Sequence, residues 1–320
     1  MKILVLGGTQ FIGLRLVDLL VRQSHEVTVL NRGVTVATLP ESVERLTADR
    51  SKPETVLAAL RGRTFDVVMD IFAFDPAEVQ PVLDALTGNF GQYILCGSVG
   101  YYQPGETFPI DESHPVIEDA DKILSEKLLM EACSRGEFAA TVIRPPVVYG
   151  PHNPIVNREA SYFAQLSRGR PIILGGDGTL AVLHSVHVDD VASAFALAAG
   201  NEAAAGQIFN IADSLAYTHK GYIETIAEAM SVPLELVCTG DPTQLDERFA
   251  HMRNLFPFGC AGFATYNTEK IRDSLGWKPQ YSLLDGMRMT YQWWLSEGLD
   301  KLEQDYDLHD ELLALLRGSG

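Results

Sequence analysis

Apolar residues recur along this chain with two periods. Ile3-Leu4-Val5-Leu6 is a continuous apolar run of strand length, and it breaks on Gly7-Gly8. After Thr9-Gln10-Phe11-Ile12-Gly13 the period lengthens. Leu16, Val17, Leu19, Leu20 and Val21 form the apolar face of a helix, with Arg15, Asp18 and Arg22 facing outward. A second apolar run, Val27-Thr28-Val29-Leu30, ends on Asn31-Arg32-Gly33. These residues predict strand, glycine turn, helix and strand in one βαβ unit.

The alternation continues. Residues 43–46 predict a third strand, 65–70 a fourth, 92–96 a fifth and 140–143 a sixth. Helical patterns at 53–61, 76–86 and 120–134 separate them, and a loop rich in Pro, Gly and acids spans 101–116. Strands alternating with helices predict an α/β fold with a parallel, doubly wound sheet. After Tyr149-Gly150-Pro151 the segments shorten. Helices are expected at 158–168, 188–199, 221–230 and 267–275, a turn at 175–178 and a strand at 207–211. The expected division is a nucleotide-binding domain at 1–155, with 185–215 returning to it, and a smaller C-terminal α/β substrate domain at 156–184 and 216–315.

The first turn carries the chemistry. Gly7 permits a tight turn off the strand, and Gly13 permits close packing of the helix on it. The helix N-terminus offers unpaired N–H groups and a positive dipole end, which suits a dinucleotide pyrophosphate. Gln10 stands where the usual G-x-G-x-x-G fingerprint has its middle glycine.

Composition narrows the rest. The formal net charge of −17 over 320 residues argues against a broad nucleic-acid or anionic-membrane surface. No apolar run reaches the roughly 18 residues of a membrane span. Met1-Lys2 leads straight into a strand, so no signal peptide is expected. Cys96, Cys133, Cys238 and Cys260 show no metal spacing, so free thiols in a reducing, cytoplasmic setting are expected. His184 and His187 have no third ligand nearby and read as structural; no metal site is expected.

Five segments, in order, resemble the extended short-chain dehydrogenase/reductases of the NAD-dependent epimerase/dehydratase family, including the branch of the chloroplast stem-loop-binding proteins. They are Gly7-Gly8-Thr9-Gln10-Phe11-Ile12-Gly13, Asp49-Arg50, Arg144-Pro145-Pro146-Val147-Val148-Tyr149-Gly150-Pro151, His187-Val188-Asp189-Asp190-Val191-Ala192 and Leu275-Gly276-Trp277-Lys278-Pro279. The resemblance implies a Rossmann-like fold and an NAD(P)-dependent oxidoreductase, epimerase or dehydratase acting on a sugar-like or polyhydroxylated small molecule, with nucleotide-sugar-like compounds among the candidates. It implies cofactor contacts at Gly7, Thr9, Gln10, Phe11, Ile12, Asn31, Arg32, Asp49, Arg50, Ile71, Phe72, Lys127, Pro145 and Val147. In this family the helices equivalent to 76–86 and 120–134 commonly pair two copies; the sequence leaves open whether they form a homodimer here.

Family chemistry uses a Ser or Thr, a Tyr, and a Lys four residues after the Tyr. Ser98 matches the first and Lys127 the last, which puts Ile123 at the Tyr position. Either Tyr101 or Tyr102 replaces the lost phenol, Tyr102 being the catalytic candidate beside Ser98 and Lys127, or ordinary hydride chemistry is absent. The alternative is then a dinucleotide-binding module without catalysis, with RNA binding a third reading that the charge opposes. Nucleotide-sugar members carry an Arg just before the His of the H-V-x-D segment; Thr179 to Val186 contains none, leaving Arg158, Arg168 or Arg253 as substitutes. Asn31 removes the acidic side chain that selects NAD, and Arg32 supplies a cation, so NADP is expected in preference to NAD.

Overall fold

The computed structural model describes residues 1–155, 158–179, 181–240 and 262–318. The chain divides into two compact units. The first comprises Met1–Val148, Val188–Ala212 and Tyr266–Pro279.

Its first half reads β1 (Lys2–Leu6), α1 (Phe11–Arg22), β2 (Glu26–Asn31), β3 (Glu44–Thr47), α2 (Pro53–Leu60), β4 (Phe65–Asp70), α3 (Pro76–Leu86), β5 (Phe90–Cys96), α4 (Asp121–Ser134) and β6 (Ala139–Arg144). With the strand Gln207–Asn210 these make a seven-stranded sheet, ordered Gln207–Asn210, β6, β5, β4, β1, β2, β3. Every pairing is parallel. Strand order therefore reverses between β1 and β4, and the crevice at such a switch point is where α/β sheets bind ligands.

Both faces are covered, as a parallel sheet requires. Leu4 and Leu6 of β1 join Val56, Leu60, Val79, Val82, Leu86 and Leu129 from α2, α3 and α4 in one buried cluster. Side chains alternate along a strand, so Ile3 and Val5 face the opposite layer, where α1 packs beside the helix Val188–Ala198. Arg15 of α1 clamps Asp189 there with bonds of 2.5 and 2.8 Å.

The boundaries shift from the sequence expectation by a few residues, to 148, 188 and 212, and one segment changes units. Tyr266–Pro279 belongs to the first unit. Asn267 N–H donates to the Ile110 carbonyl at 2.8 Å, and Trp277 Nε1 donates to Asp190 O at 3.1 Å and Ser193 Oγ at 3.0 Å. A fully buried indole needs such partners, and the helix Val188–Ala198 offers them.

The second unit comprises Tyr149–His187, Asp213–Thr265 and Gln280–Gly320. Its described helices are Glu159–Ser167, His219–Met230, Leu283–Ser296 and Asp307–Gly318. Strand Ile172–Leu174 pairs parallel with Leu236–Cys238, and Ala181–Leu183 pairs with Tyr217–Thr218 and Gly262–Phe263. Tyr149, Tyr162, Phe163, Tyr222, Met287 and Trp294 fill its core. The last two helices were not expected from the sequence; Ser282 Oγ caps the first of them by accepting from Asp285 N–H.

Candidate functional site

The turn between β1 and α1 is built around three glycines. Gly7 has φ +89°, which favours glycine, and its N–H donates to the Leu30 carbonyl at 3.2 Å. A Cβ on Gly13 would lie 2.0 Å from the Gly7 carbonyl oxygen, so helix and turn touch backbone to backbone. A Cβ on Gly8 would meet Val29 at 2.8 Å and Val17 at 2.9 Å. Phe11 opens α1 with φ +45°, a conformation that non-glycine residues hold at a cost and that clusters at ligand-binding turns. Gln10 is the N-cap, yet its side chain makes no capping bond, and the first turn carries no acid. The N–H groups of Ile12 and its neighbours and the dipole end of α1 thus remain open to an anion. This cradle, closed to any side chain at position 13, fits the pyrophosphate of a dinucleotide; Thr9 is half-buried within it.

Beside the turn, on the β2–β3 side, Asn31 Oδ1 accepts from Gly33 N–H at 2.7 Å. Arg32 is exposed. Asp49 accepts from Ser51 Oγ at 2.8 Å and Ser51 N–H at 3.1 Å. Those bonds hold its carboxyl below the usual range, with smaller pulls from Lys52 and Arg32.

Arg50 departs from its expected place among the cofactor contacts. Its guanidinium turns inward and grips Asp70, Nη1 to Oδ1 at 3.0 Å and Nη2 to Oδ2. Tyr93 Oη donates to Asp70 at 2.6 Å, and the N–H groups of Phe72 and Ala73 donate at 3.1 Å each. Asp70 is fully buried, and a buried carboxylate requires a full counter-charge. Burial pushes the Asp70 carboxyl up, but Arg50 and the hydrogen bonds outweigh it and hold it below the usual carboxylate range. The network fixes the start of the loop after β4, where Ile71 and Ala73 are buried and Phe72 is exposed.

Helix α4 carries two lysines with different environments. Lys127, the sequence candidate, keeps its side chain 42% exposed; Nζ pairs with Glu118 Oε2 and donates to the Glu118 carbonyl at 3.1 Å. Lys122 is buried, and its Nζ donates to the Ala73 carbonyl at 2.7 Å. Lys122, Ser125, Glu126 and Leu129 form the i, i+3, i+4, i+7 stripe that α4 buries. Lys127 lies one residue past that stripe, about 100° around the helix. Ile123 is buried in the core. The stripe was present in the sequence and is the signal that would have singled out Lys122.

Glu126 reaches Arg144 at the end of β6 with bonds of 3.2 and 3.1 Å to Nε and a further contact to Nη2, both residues buried. Burial pushes the Glu126 carboxyl up against the opposing pull of Arg144. A Cβ on Gly97 would lie 2.4 Å from Glu126 Oε1, so glycine at 97 makes room for the pair. The Arg144 guanidinium stands 4.9 Å from the centre of the Tyr102 ring.

Tyr102 is committed to the same network. Its hydroxyl donates to Asn210 Oδ1 at 2.8 Å, and its ring stacks on Tyr266. Burial pushes its phenol above the ordinary value. Ser98 follows β5; its Oγ accepts from Gly100 N–H at 3.1 Å and retains its own hydrogen to donate. The Pro145 carbonyl accepts from Val99 N–H at 3.3 Å, and Val147 is half-buried beyond it. Gly7, Ser98, Lys122, Asp49 and Phe72 thus all belong to the C-terminal ends of strands of one sheet or to the helix packed on it, while Lys127, Arg50 and Tyr102 direct their polar atoms elsewhere.

In the second unit His184 Nε2 bonds the Asp213 carbonyl at 2.8 Å and His187 packs between the rings of Tyr149 and Tyr281. Among the described residues no group of three or more His, Cys, Asp or Glu side chains could hold a metal ion. Arg168 donates to the carbonyls of Ala164, Asp300 and Leu302. Arg158 stands beside the buried Glu159 carboxyl, and Arg253 lies outside the described residues. Among the described residues no helix is long and apolar enough to cross a membrane.

The chain is similar to known proteins. The chain is 33% identical over 331 residues to the chloroplast stem-loop binding protein of 41 kDa b from Arabidopsis thaliana, covering 98% of this chain and 84% of that protein. It is 25% identical over 327 residues to a UDP-glucose 4-epimerase of Mycolicibacterium smegmatis, covering 91% and 98%. The crystal structure of UDP-glucose 4-epimerase with UDP-glucose from Thermotoga maritima superposes with a TM-score of 0.75 at 19% identity, over 93% of this chain and 99% of that one. The description of the NAD dependent epimerase/dehydratase family matches residues 3–212. With its glycine turn, its parallel switch-point sheet and that match, the chain belongs to the NAD-dependent epimerase/dehydratase family.

Proposed function

We propose that this protein binds NADP(H), in preference to NAD(H), and uses it in a reduction, oxidation or epimerisation of a sugar-like, polyhydroxylated small molecule. The observation that carries the reading is the close approach of Gly13 to Gly7 at the open N-terminus of α1, where a Cβ on Gly13 would lie 2.0 Å from the Gly7 carbonyl oxygen, a glycine-only cradle suited to an anion. A bound nicotinamide supplies the hydride chemistry.

Lys122, rather than Lys127, is the residue we assign to the ribose. An ammonium has three N–H donors, and the Ala73 carbonyl takes one at 2.7 Å, leaving two for ribose hydroxyls. The family's Tyr-x-x-x-Lys spacing counted back from Lys122 lands on Glu118; counted from Lys127 it lands on Ile123. Neither is Tyr, so the usual phenol is missing in both registers. We assign the orientation of a substrate oxygen to Ser98, whose hydroxyl hydrogen is free of the Gly100 bond. Tyr102 we assign to structure. Substrate selection we assign to the second unit.

NADP preference follows from charge. Asn31 is neutral and tied to Gly33, and the exposed Arg32 offers a guanidinium suited to a 2′-phosphate.

The missing phenol favours a second reading, a dinucleotide-binding module without turnover. One experiment separates the two. NADPH and NADH are titrated into the wild type and into Lys122→Ala and Lys127→Ala, and exchange of a label at the nicotinamide C4 is followed with a panel of sugars and carbonyls. The enzyme reading expects label exchange, lost in Lys122→Ala and kept in Lys127→Ala. Binding without exchange across the panel leaves the module. Stem-loop binding by the Arabidopsis relative suggests RNA as a third ligand. A charge of −17 opposes it, since such affinity rests on phosphate neutralisation, and a gel-shift at low salt decides it.

A further inference from the structure

Phe72 and Phe74 are two aromatic side chains that the first unit leaves exposed. They follow β4 at the switch point and are 57% and 50% exposed. Their rings meet edge to face, with centroids 5.0 Å apart at 88°. Such a pair leaves both faces of one ring uncovered by the other. The backbone beneath them is not loose, because Asp70 accepts from the N–H groups of Phe72 and Ala73 at 3.1 Å each. Lys122 Nζ sits 4.9 Å from the centre of the Phe74 ring while bonding the Ala73 carbonyl. Phe72 also abuts the glycine turn: a Cβ on Gly7 would lie 3.2 Å from Phe72 Cβ. Two aromatic side chains are thus held half-exposed, on a rigid backbone, beside an anion cradle and a buried ammonium.

A dinucleotide laid across the crevice has its pyrophosphate at the turn. Arg32 and Asp49 mark the adenine half on the β2–β3 side, so the other half extends over the end of β4. We infer that Phe72, braced by Phe74, forms an aromatic wall that packs against the nicotinamide ring and sets the affinity for that half of the cofactor. The inference rests on the dinucleotide reading above. Aromatic faces suit a flat heterocycle, and the exposed area of both rings falls when it docks. The Asp70 network is what keeps the wall in place, which gives the inward turn of Arg50 a consequence for binding.

The test compares ligands with and without the ring. Wild type, Phe72→Ala and Phe72→Trp are titrated with NADPH and with 2′-phospho-ADP-ribose, which lacks nicotinamide. Stacking of a base on an aromatic side chain is worth about tenfold in affinity. Phe72→Ala is expected to weaken NADPH by about that factor, to leave 2′-phospho-ADP-ribose within about twofold, and Phe72→Trp to restore NADPH. Equal losses for both ligands would show that Phe72 only shapes the glycine turn, and unchanged NADPH binding would show that the wall touches nothing; either overturns the inference while leaving the dinucleotide reading intact. A wild type that binds neither ligand, nor NADH, overturns that reading and this one with it.

Discussion

Arg50 and Asp70, at the ends of β3 and β4, form a two-pronged ion pair in which the carboxylate is fully buried. Removing the negative charge strands a guanidinium in the interior. Asp70→Asn is expected to cost about 3–5 kcal/mol in urea unfolding at neutral pH. The folded carboxyl lies below its unfolded value, so its contribution is present above roughly pH 3.9 and is lost as pH falls toward the folded value. The variant should therefore show a flatter acid limb than the wild type. A variant within about 0.5 kcal/mol of wild type would mean the pair contributes nothing.

Gly13 tolerates no side chain. A Cβ there would lie 2.0 Å from Gly7 O and 2.9 Å from Gly8 Cα, both backbone atoms that cannot rotate away. Gly13→Ala is expected to destabilise by about 1–3 kcal/mol and to open the turn. NADPH binding, followed by fluorescence titration, should fall at least about tenfold, more than stability alone explains, because the first-turn N–H groups move with the turn.

Glu159 gives the second unit a pH dependence of opposite sign. Its carboxyl is buried and accepts from Asn153 Nδ2 at 3.1 and 3.3 Å. Burial pushes it up to about 7. A folded value above the unfolded one means the stability is fully present below about pH 4.5 and is lost as pH rises through 7. Urea midpoints should fall between pH 5 and pH 8, and Glu159→Gln should remove that fall. A wild type whose midpoint is level over this range would refute the account.

The proposed preference for NADP(H) rests on Arg32, an exposed cation. Arg32→Ala is expected to weaken NADPH by about tenfold, the scale of one charge-assisted bond, and to leave NADH unchanged. If wild type binds NADH as tightly as NADPH, the preference is wrong whatever the variant does.

Much of the fold was legible because its signals are local. The run Ile3 to Leu6 and the helical face from Leu16 to Val21 each declare their type within one window, and Gly7 and Gly13 declare a turn. Boundaries moved by a residue or two, as at Glu44–Thr47 and Glu159–Ser167. The site was less legible. Lys127 and Lys122 lie on one helix, and motif register chose the first; the buried stripe of α4 presents the second to the Ala73 carbonyl. Tyr102 stands close to Ser98 in sequence, but Asn210, 108 residues away, holds its hydroxyl.

By itself the sequence determined the alternation of strands and helices, the glycine cradle and the absence of Tyr four residues before either lysine. Those are properties of adjacent residues, and backbone freedom and periodicity express them without the rest of the chain. Only the tertiary structure decided what each charged side chain faces. Arg50 meets Asp70 because β4 and β3 end in one sheet across β1 and β2, and a buried carboxylate there draws in the nearest guanidinium. Phe72 is left half-exposed because that same carboxylate pins the backbone under it.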